Sequence, residues 1–290
     1  MSDLKCVEKI IELPPSHWVG DGFHVHNFIP QAISQARISP FLMLDYGRTH
    51  YFAPSDTPKG VGVHPHRGFE TVTIAYKGRI EHHDSGGNSG VIQEGEVQWM
   101  TAGSGILHKE YHEKEFSKAG GELSMVQIWV NLPKKHKMTA PKYQGITKDM
   151  IVKADLPNNA GFIHIIAGSY GDKIGPATTF TPLNMWNIHL KQGCKTSLNL
   201  PQNFNTILLV IEGDLHLNSQ KATQGQMVLF SNDGENIDLE TTQDSMYLLL
   251  SGEPINEPIF HYGPFAMTTR EEVMQAFADL EAGKFGVLAD

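Results

Sequence analysis

The chain has 290 residues, 40% of them hydrophobic and 19% charged, with a formal net charge of −9. That is the make-up of a folded protein with one large or two ordinary domains; the acidic balance argues against non-specific contact with nucleic acid or an anionic membrane surface. No apolar run reaches the length of a membrane span and the first fifteen residues lack a signal peptide's apolar core, so a cytoplasmic protein is expected.

Residues 5–13 read as a first strand ended by Pro14-Pro15. The next stretch carries His17, Trp18, His24 and His26; His24-Val25-His26 has no second pair to complete it and reads as a strand with polar side chains facing out. Residues 40–45 form a short buried strand, and a Pro/Gly-rich loop over 51–62 delivers the chain to His64-Pro65-His66. Residues 69–76 alternate and are rich in β-branched side chains, Lys77-Gly78 turns, and 79–83 return as a hairpin. The loop over 84–90 is built for positive φ. Residues 91–93 and 97–100 flank a turn at Glu94-Gly95. Gly103, Ser104 and Gly105 then lead to Ile106-Leu107-His108; small residues there let the backbone approach closely and keep a site open. A strand over 123–132 stops at Pro133, and the basic stretch 134–143 reads as a solvated crossing. Strands follow at 151–154, 162–167, 186–190, 206–211, 227–230 and 245–250. Thr269 then caps a helix, with Glu272 as capping-box partner, an apolar stripe of Val273, Met274, Phe277 and Leu280, and an end at Gly283. Cys6 and Cys194, the only cysteines, lack disulfide or zinc-site spacing and read as two buried thiols.

Two pairs of residues carry chemistry. In a strand, residues two apart share a face. His64 and His66 therefore aim at one point, and so do His108 and Glu110. A strand pair uniting them supplies three imidazoles and a carboxylate, a set suited to Fe, Mn, Ni, Cu or Zn with positions left open. The two halves also align: residues 69–78 match 204–213, and 95–100 match 225–230, the second half being five residues shorter between the blocks. In this register His64 falls on Asn199, His66 on Pro201, His108 on Asp238 and Glu110 on Glu240. The second half is thus expected to be the same barrel without a metal, although those oxygens remain open to a hard cation.

HPHRGFETVT, GEVQWMTAGSGILHKE, QIWVNLP and GPFAMTTREEVMQAFADLEAGKFG together resemble the pirins. The resemblance implies an all-β bicupin: two jelly-roll β-barrels packed together, with a short C-terminal helix. The metal-binding barrel would span residues 1–140, and the metal-free barrel plus helix 141–290. It implies one divalent metal ion, Fe2+ foremost with Mn, Ni, Cu or Zn as alternatives, held by His64, His66, His108 and Glu110. The general cupin pattern points instead to Glu70, which the pirin pattern leaves as an outer or core polar group. His112 continues the strand face toward the site, while His82 and His83 read as rim or solvent-facing. Bacterial pirins are similar in activity to quercetin 2,3-dioxygenases, which open a flavonol with O2 and release carbon monoxide. Glu110 would be the catalytic base for the 3-hydroxyl, in an apolar pocket with Phe41, Trp99, Met125 and Trp129 as candidate walls. The rival implication is an iron-containing redox-sensing regulator or transcriptional co-regulator that binds a protein partner without catalysis. An enzyme must admit a flavonol-sized molecule, whereas a sensor need not. The expected partners are a small aromatic substrate and O2, a protein if the role is regulatory, and neither nucleic acid nor membrane; the expected state is a monomer.

Overall fold

The computed structural model describes residues 4–217 and 220–289. The chain forms two compact units, and each contains one seven-stranded and one four-stranded sheet whose neighbouring strands pair antiparallel. This is the expected all-β bicupin.

In the first unit the large sheet runs, strand by strand, Lys142–Ile146, Val97–Thr101, Phe69–Lys77, Gly121–Asn131, Phe41–Phe52, Phe23–Ile29 and Ser16–Val19. Phe69–Lys77 is buried at every residue but its last, as a strand covered on both faces must be. The small sheet runs Gly60–His66, Ile106–His112, Arg79–Asp84 and Ser89–Gln93. Its Ile106–His112 strand alternates buried and half-buried residues, the signature of a strand with one face inward. In the second unit, Met227–Phe230, Asn205–Glu212, Ser245–Gly252 and Leu183–Leu190 follow one another in the large sheet. The internal repeat extends to backbone angles. Gly78 and its counterpart Gly213 turn at φ +80° and +84°, and Gly95 and Gly225 at +82° and +88°, values that glycine adopts without strain.

The units differ from a division at residue 140. Residues 4–13 and 36–39 belong with the described residues of 149–254, and the described chain from Ile255 to residue 289 belongs with the first barrel. The cause is strand completion. Val7–Ile11 pairs with Met227–Phe230 in one sheet, and Lys142–Ile146 pairs with Val97–Thr101 in the other, so each covers an edge that would otherwise leave backbone groups unpaired.

The C-terminal helix, Arg270–Glu281, carries the expected capping box of Thr269 and Glu272. It lies on the first barrel rather than the second. Val273, Ala276, Phe277 and Leu280 pack with Phe265, Phe285 and Leu107, while Met274 is 57% exposed and is no part of the stripe. Asp279 faces inward instead, paired with Arg67 at 2.8 Å. The cysteines are not two buried thiols: Cys6 is exposed and Cys194 half-buried. Among the described residues no helix is long and apolar enough to cross a membrane.

The basic crossing is not wholly solvated either. Lys137 is buried, and its ammonium donates to Gly68 O at 2.9 Å, Asn131 Oδ1 at 2.6 Å and Ala266 O at 2.7 Å. Three donors meet three acceptors, tying the turn after His66 to the returning C-terminal segment. Lys137→Met would leave those oxygens orphaned at about 1–3 kcal/mol each. Stability should fall by about 3 kcal/mol or more, read as a lower urea midpoint at unchanged slope.

Candidate metal centre

The small sheet of the first barrel sets the site. His64 lies directly opposite His108 across the antiparallel pair Gly60–His66 and Ile106–His112, and the register shifts between His108 and Glu110. The extra residue falls in the Gly60–His66 strand, a bulge that re-aims the side chains beside it. Ring centroids are 4.2 Å apart for His64 and His108, 4.9 Å for His64 and His66, and 4.8 Å for His66 and His108. One nitrogen from each ring lies within 4.8 Å of the others.

The imidazoles have the right form for a metal. His64 Nδ1 donates to Gly62 O at 2.8 Å, which leaves its Nε2 lone pair free. His66 and His108 are buried; burial first, then neighbouring imidazoles, hold both well below the usual histidine range. They are neutral, and neutral imidazole is the ligating form. His66 Nδ1 and His108 Nε2 have no hydrogen-bond partner in the protein. A buried polar atom left alone costs about 1–3 kcal/mol, and two beside a third ring fit the demands of a cation.

Glu110 stands across the strand pair from His82. Its Oε1 accepts from Thr73 Oγ1 at 3.2 Å and from Gln98 Nε2, and its Oε2 accepts from Gln127 Nε2 at 2.9 Å. The carboxylate groups with His82 and His108 within 4.8 Å, and it lines one cavity with His64 and His66. Thr73, Gln98 and Gln127 escaped the sequence reading. The signal was there, a lone glutamine inside apolar strand runs (Val97-Gln98-Trp99 and Val126-Gln127-Ile128).

Other candidates fall away from the centre. Glu70 is buried against Thr101 Oγ1 at 2.7 Å, and burial pushes its carboxyl up to about 7; it belongs to neither metal-capable group. His112 is spent on Gly22 O at 2.8 Å. His83 is half-exposed beside Glu81. His82, expected at the rim, is instead fully buried, with Nε2 3.3 Å from Asp84 Oδ2. Gly103 and Gly105 serve packing rather than access: a Cβ would come 2.2 Å from Thr139 O at Gly103 and 2.5 Å from the Phe285 ring at Gly105.

A cavity of about 390 Å³ opens onto the site. His64, His66, Glu110, Gln127 and Asp45 form its polar side, and Phe23, Val25, Met125 and Trp129 much of its apolar wall. Two of the four candidate wall residues are therefore in place; Phe41 and Trp99 are fully buried in the core and do not line it.

The Pirin family model matches residues 22–130 and the Pirin C-terminal cupin domain residues 185–286. A Pseudomonas aeruginosa protein provisionally named quercetin 2,3-dioxygenase is 48% identical over 269 residues, 93% of this chain and 94% of that one. A pirin-like protein of Solanum lycopersicum is 36% identical over 271 residues, covering 92% and 88% of the two chains. A crystal structure described as quercetin 2,3-dioxygenase from Acinetobacter baumannii superposes with a TM-score of 0.94 at 44% identity, covering 99% of this chain and 100% of that one.

The donor geometry separates the two glutamates. Glu110→Gln should weaken Ni(II) or Fe(II) binding at least by the roughly 10–100-fold that even outer partners of ligands contribute. Glu70→Gln should leave affinity unchanged. Competition against a chromophoric chelator reads both.

Proposed function

Because the chain belongs to the pirin family, two of whose domain models cover most of its length, we propose that it is a metal-dependent dioxygenase. The substrate is a flavonol such as quercetin, opened by O2 so that both oxygen atoms enter the product and one ring carbon leaves as carbon monoxide. The observation that carries this reading is the largely apolar cavity of about 390 Å³ bounded by His64, His66 and Glu110. Its volume lies within the range of small-molecule sites, roughly 300–1,000 Å³. A redox sensor would need no such chamber, which is why the regulatory reading ranks second. The names carried by the similar Pseudomonas and Acinetobacter proteins support the same choice.

The ligands proposed are His64, His66, His108 and Glu110, with iron(II) as the ion; the donor set also accepts manganese, nickel, copper or zinc. A bound ion of this class supplies a Lewis acid that lowers the pKa of a coordinated hydroxyl, with a further position open to a small oxidant. The chain's own residues do the rest. Trp129, Met125 and Phe23 bury the aromatic rings and exclude water. Thr73 and Gln98 anchor Glu110 through Oε1, leaving on Oε2, held by Gln127 alone, one site that ligates the ion at rest and, swung free of it, takes the proton from the substrate's 3-hydroxyl as general base. Gln127 follows that proton by turning its amide oxygen toward the new carboxylic acid.

Oxygen uptake with quercetin, using protein loaded anaerobically with Fe(II), tests the proposal. Catalytic uptake with release of carbon monoxide, absent in a folded His108→Ala variant, is the expected result. No uptake with iron, manganese, nickel or copper at confirmed metal content would discard it in favour of the regulator. The cavity makes a second prediction: Met125→Trp should lower kcat/KM for quercetin on the order of tenfold or more while metal content stays that of the parent.

A further inference from the structure

A further buried histidine, His82, stands behind the centre and belongs to no expected ligand set. Across the strands Arg79–Asp84 and Ile106–His112, His108 pairs with Asp84 and Glu110 with His82. His82 and Asp84 are both buried. His82 Nδ1 is 3.5 Å from His108 Nδ1, and His82 Nε2 is 3.3 Å from Asp84 Oδ2. The His82 ring is stacked on Tyr143, with centroids 4.9 Å apart and planes inclined by 17°. Asp84 is itself fixed: Oδ1 accepts from the backbone N–H groups of Gly86 at 2.9 Å and Asn88 at 3.0 Å, and Asn88 Nδ2 donates to both carboxylate oxygens at 3.1 and 3.0 Å.

With His82 neutral, proton accounting along this row gives one solution. A carboxylate accepts only, so the hydrogen between Asp84 and His82 sits on His82 Nε2. In a neutral ring the other nitrogen, Nδ1, is then an acceptor. It faces His108 Nδ1, which must carry the hydrogen of that contact. His108 is left with a bare lone pair on Nε2, and His108 Nε2 is the buried atom that lacks any partner in the protein. The lone pair so assigned falls on the His108 nitrogen that no group of the protein engages, where an ion can take it. The accounting also answers a question raised by the geometry, in which His82, His108 and Glu110 could themselves hold an ion. Both nitrogens of His82 are engaged, so it has no lone pair to give.

We infer that Asp84 and His82 are positioning residues for the metal centre, a carboxylate–imidazole relay that locks His108 as an Nε2 ligand and strengthens its donation. A metal-bound imidazole gains basicity when its far N–H is held by an acceptor; here the acceptor is a second imidazole, itself oriented by a buried carboxylate. The inference rests on His108 being a ligand, and not on the reaction the centre catalyses.

Zn(II), which is diamagnetic, serves as the probe in the full-length protein, with affinity read by chelator competition and tautomers by nitrogen-15 NMR of the histidine rings. The parent should show His82 protonated at Nε2 and His108 at Nδ1. His82→Phe removes the acceptor and should weaken Zn(II) roughly 10–100-fold. His82→Gln can donate to Asp84 and accept from His108 with its amide, and should restore affinity to within about threefold of the parent, a rescue that packing alone would not produce. Asp84→Asn, which can present an N–H to His82, should move the His82 proton to Nδ1 and weaken Zn(II) as His82→Phe does. Folding is checked on the metal-free proteins by thermal denaturation. Parent-like affinity in His82→Phe, or equal losses in His82→Phe and His82→Gln, would overturn the relay while leaving the metal site standing. Parent-like affinity in His108→Ala would instead overturn the ligand assignment on which it depends.

Discussion

The pairing of His64 opposite His108 is the constraint from which the centre follows. Strand side chains alternate with a period of two, so a slip of one residue would send His108 and Glu110 out and Leu107 and Lys109 in. Two features prevent it. The buried Ile106 and His112 bracket the candidate ligand positions on the same face, and the bulge in Gly60–His66 falls between the residues opposite His108 and Glu110. The bulge is also where His64 is oriented, since its Nδ1 bonds the carbonyl of Gly62 at 2.8 Å. Register, bulge and ring orientation are one device.

Around that device the barrel buries many polar groups, and most of them are matched. Glu110 has three donors, Lys137 three acceptors, Arg67 a carboxylate, His112 a carbonyl. Against this matching, a few buried atoms lack a partner, among them Gln98 Oε1, Trp99 Nε1, His66 Nδ1 and His108 Nε2, and the last two sit together in the candidate centre. The His66 and His108 ring centroids lie 4.8 Å apart, and burial holds both imidazoles well below the usual histidine range. Desolvation alone makes such an arrangement unfavourable; a cation reverses the sign, because lone pairs that cost free energy when idle become ligand bonds.

Local signals were legible in the sequence, and long-range returns were not. His64-Pro65-His66 and His108-Lys109-Glu110 announce themselves by spacing, and Thr269 with Glu272 by capping chemistry. The repeat is legible because glycines at 78, 95, 213 and 225 all meet the same demand for positive φ. His82 was misread because one polar strand residue looks the same whether its partner is water or a buried Asp84. Gly103 and Gly105 were misread because sequence shows that space is needed, not what fills it; here Thr139 and Phe285 do. Phe285 lies 180 residues downstream of Gly105, and Lys137 reaches back to Gly68 across 69. No window along the chain contains both members of either contact.

The second barrel isolates what the metal centre requires beyond topology. Its small sheet pairs Lys195–Asn199 with Asn236–Glu240, and there Leu198 faces Ile237. Leu198, Leu200, Ile237 and Leu239 are buried in one cluster with Trp186 and Tyr247, whereas Asn199, Asp238 and Glu240 are exposed. The residues that align with the candidate ligands therefore point away from the interior. Inward positions hold leucine and isoleucine, each contributing about 1.5–3 kcal/mol by burial. The first barrel gives up part of that filling for three imidazoles, a carboxylate and a cavity of about 390 Å³. What offsets the loss is visible in the same unit. The Arg67–Asp279 pair, the Lys137 knot and the Phe265–Phe285 cluster close the barrel from outside, so the chain beyond residue 254 stabilises the half that carries the chemistry.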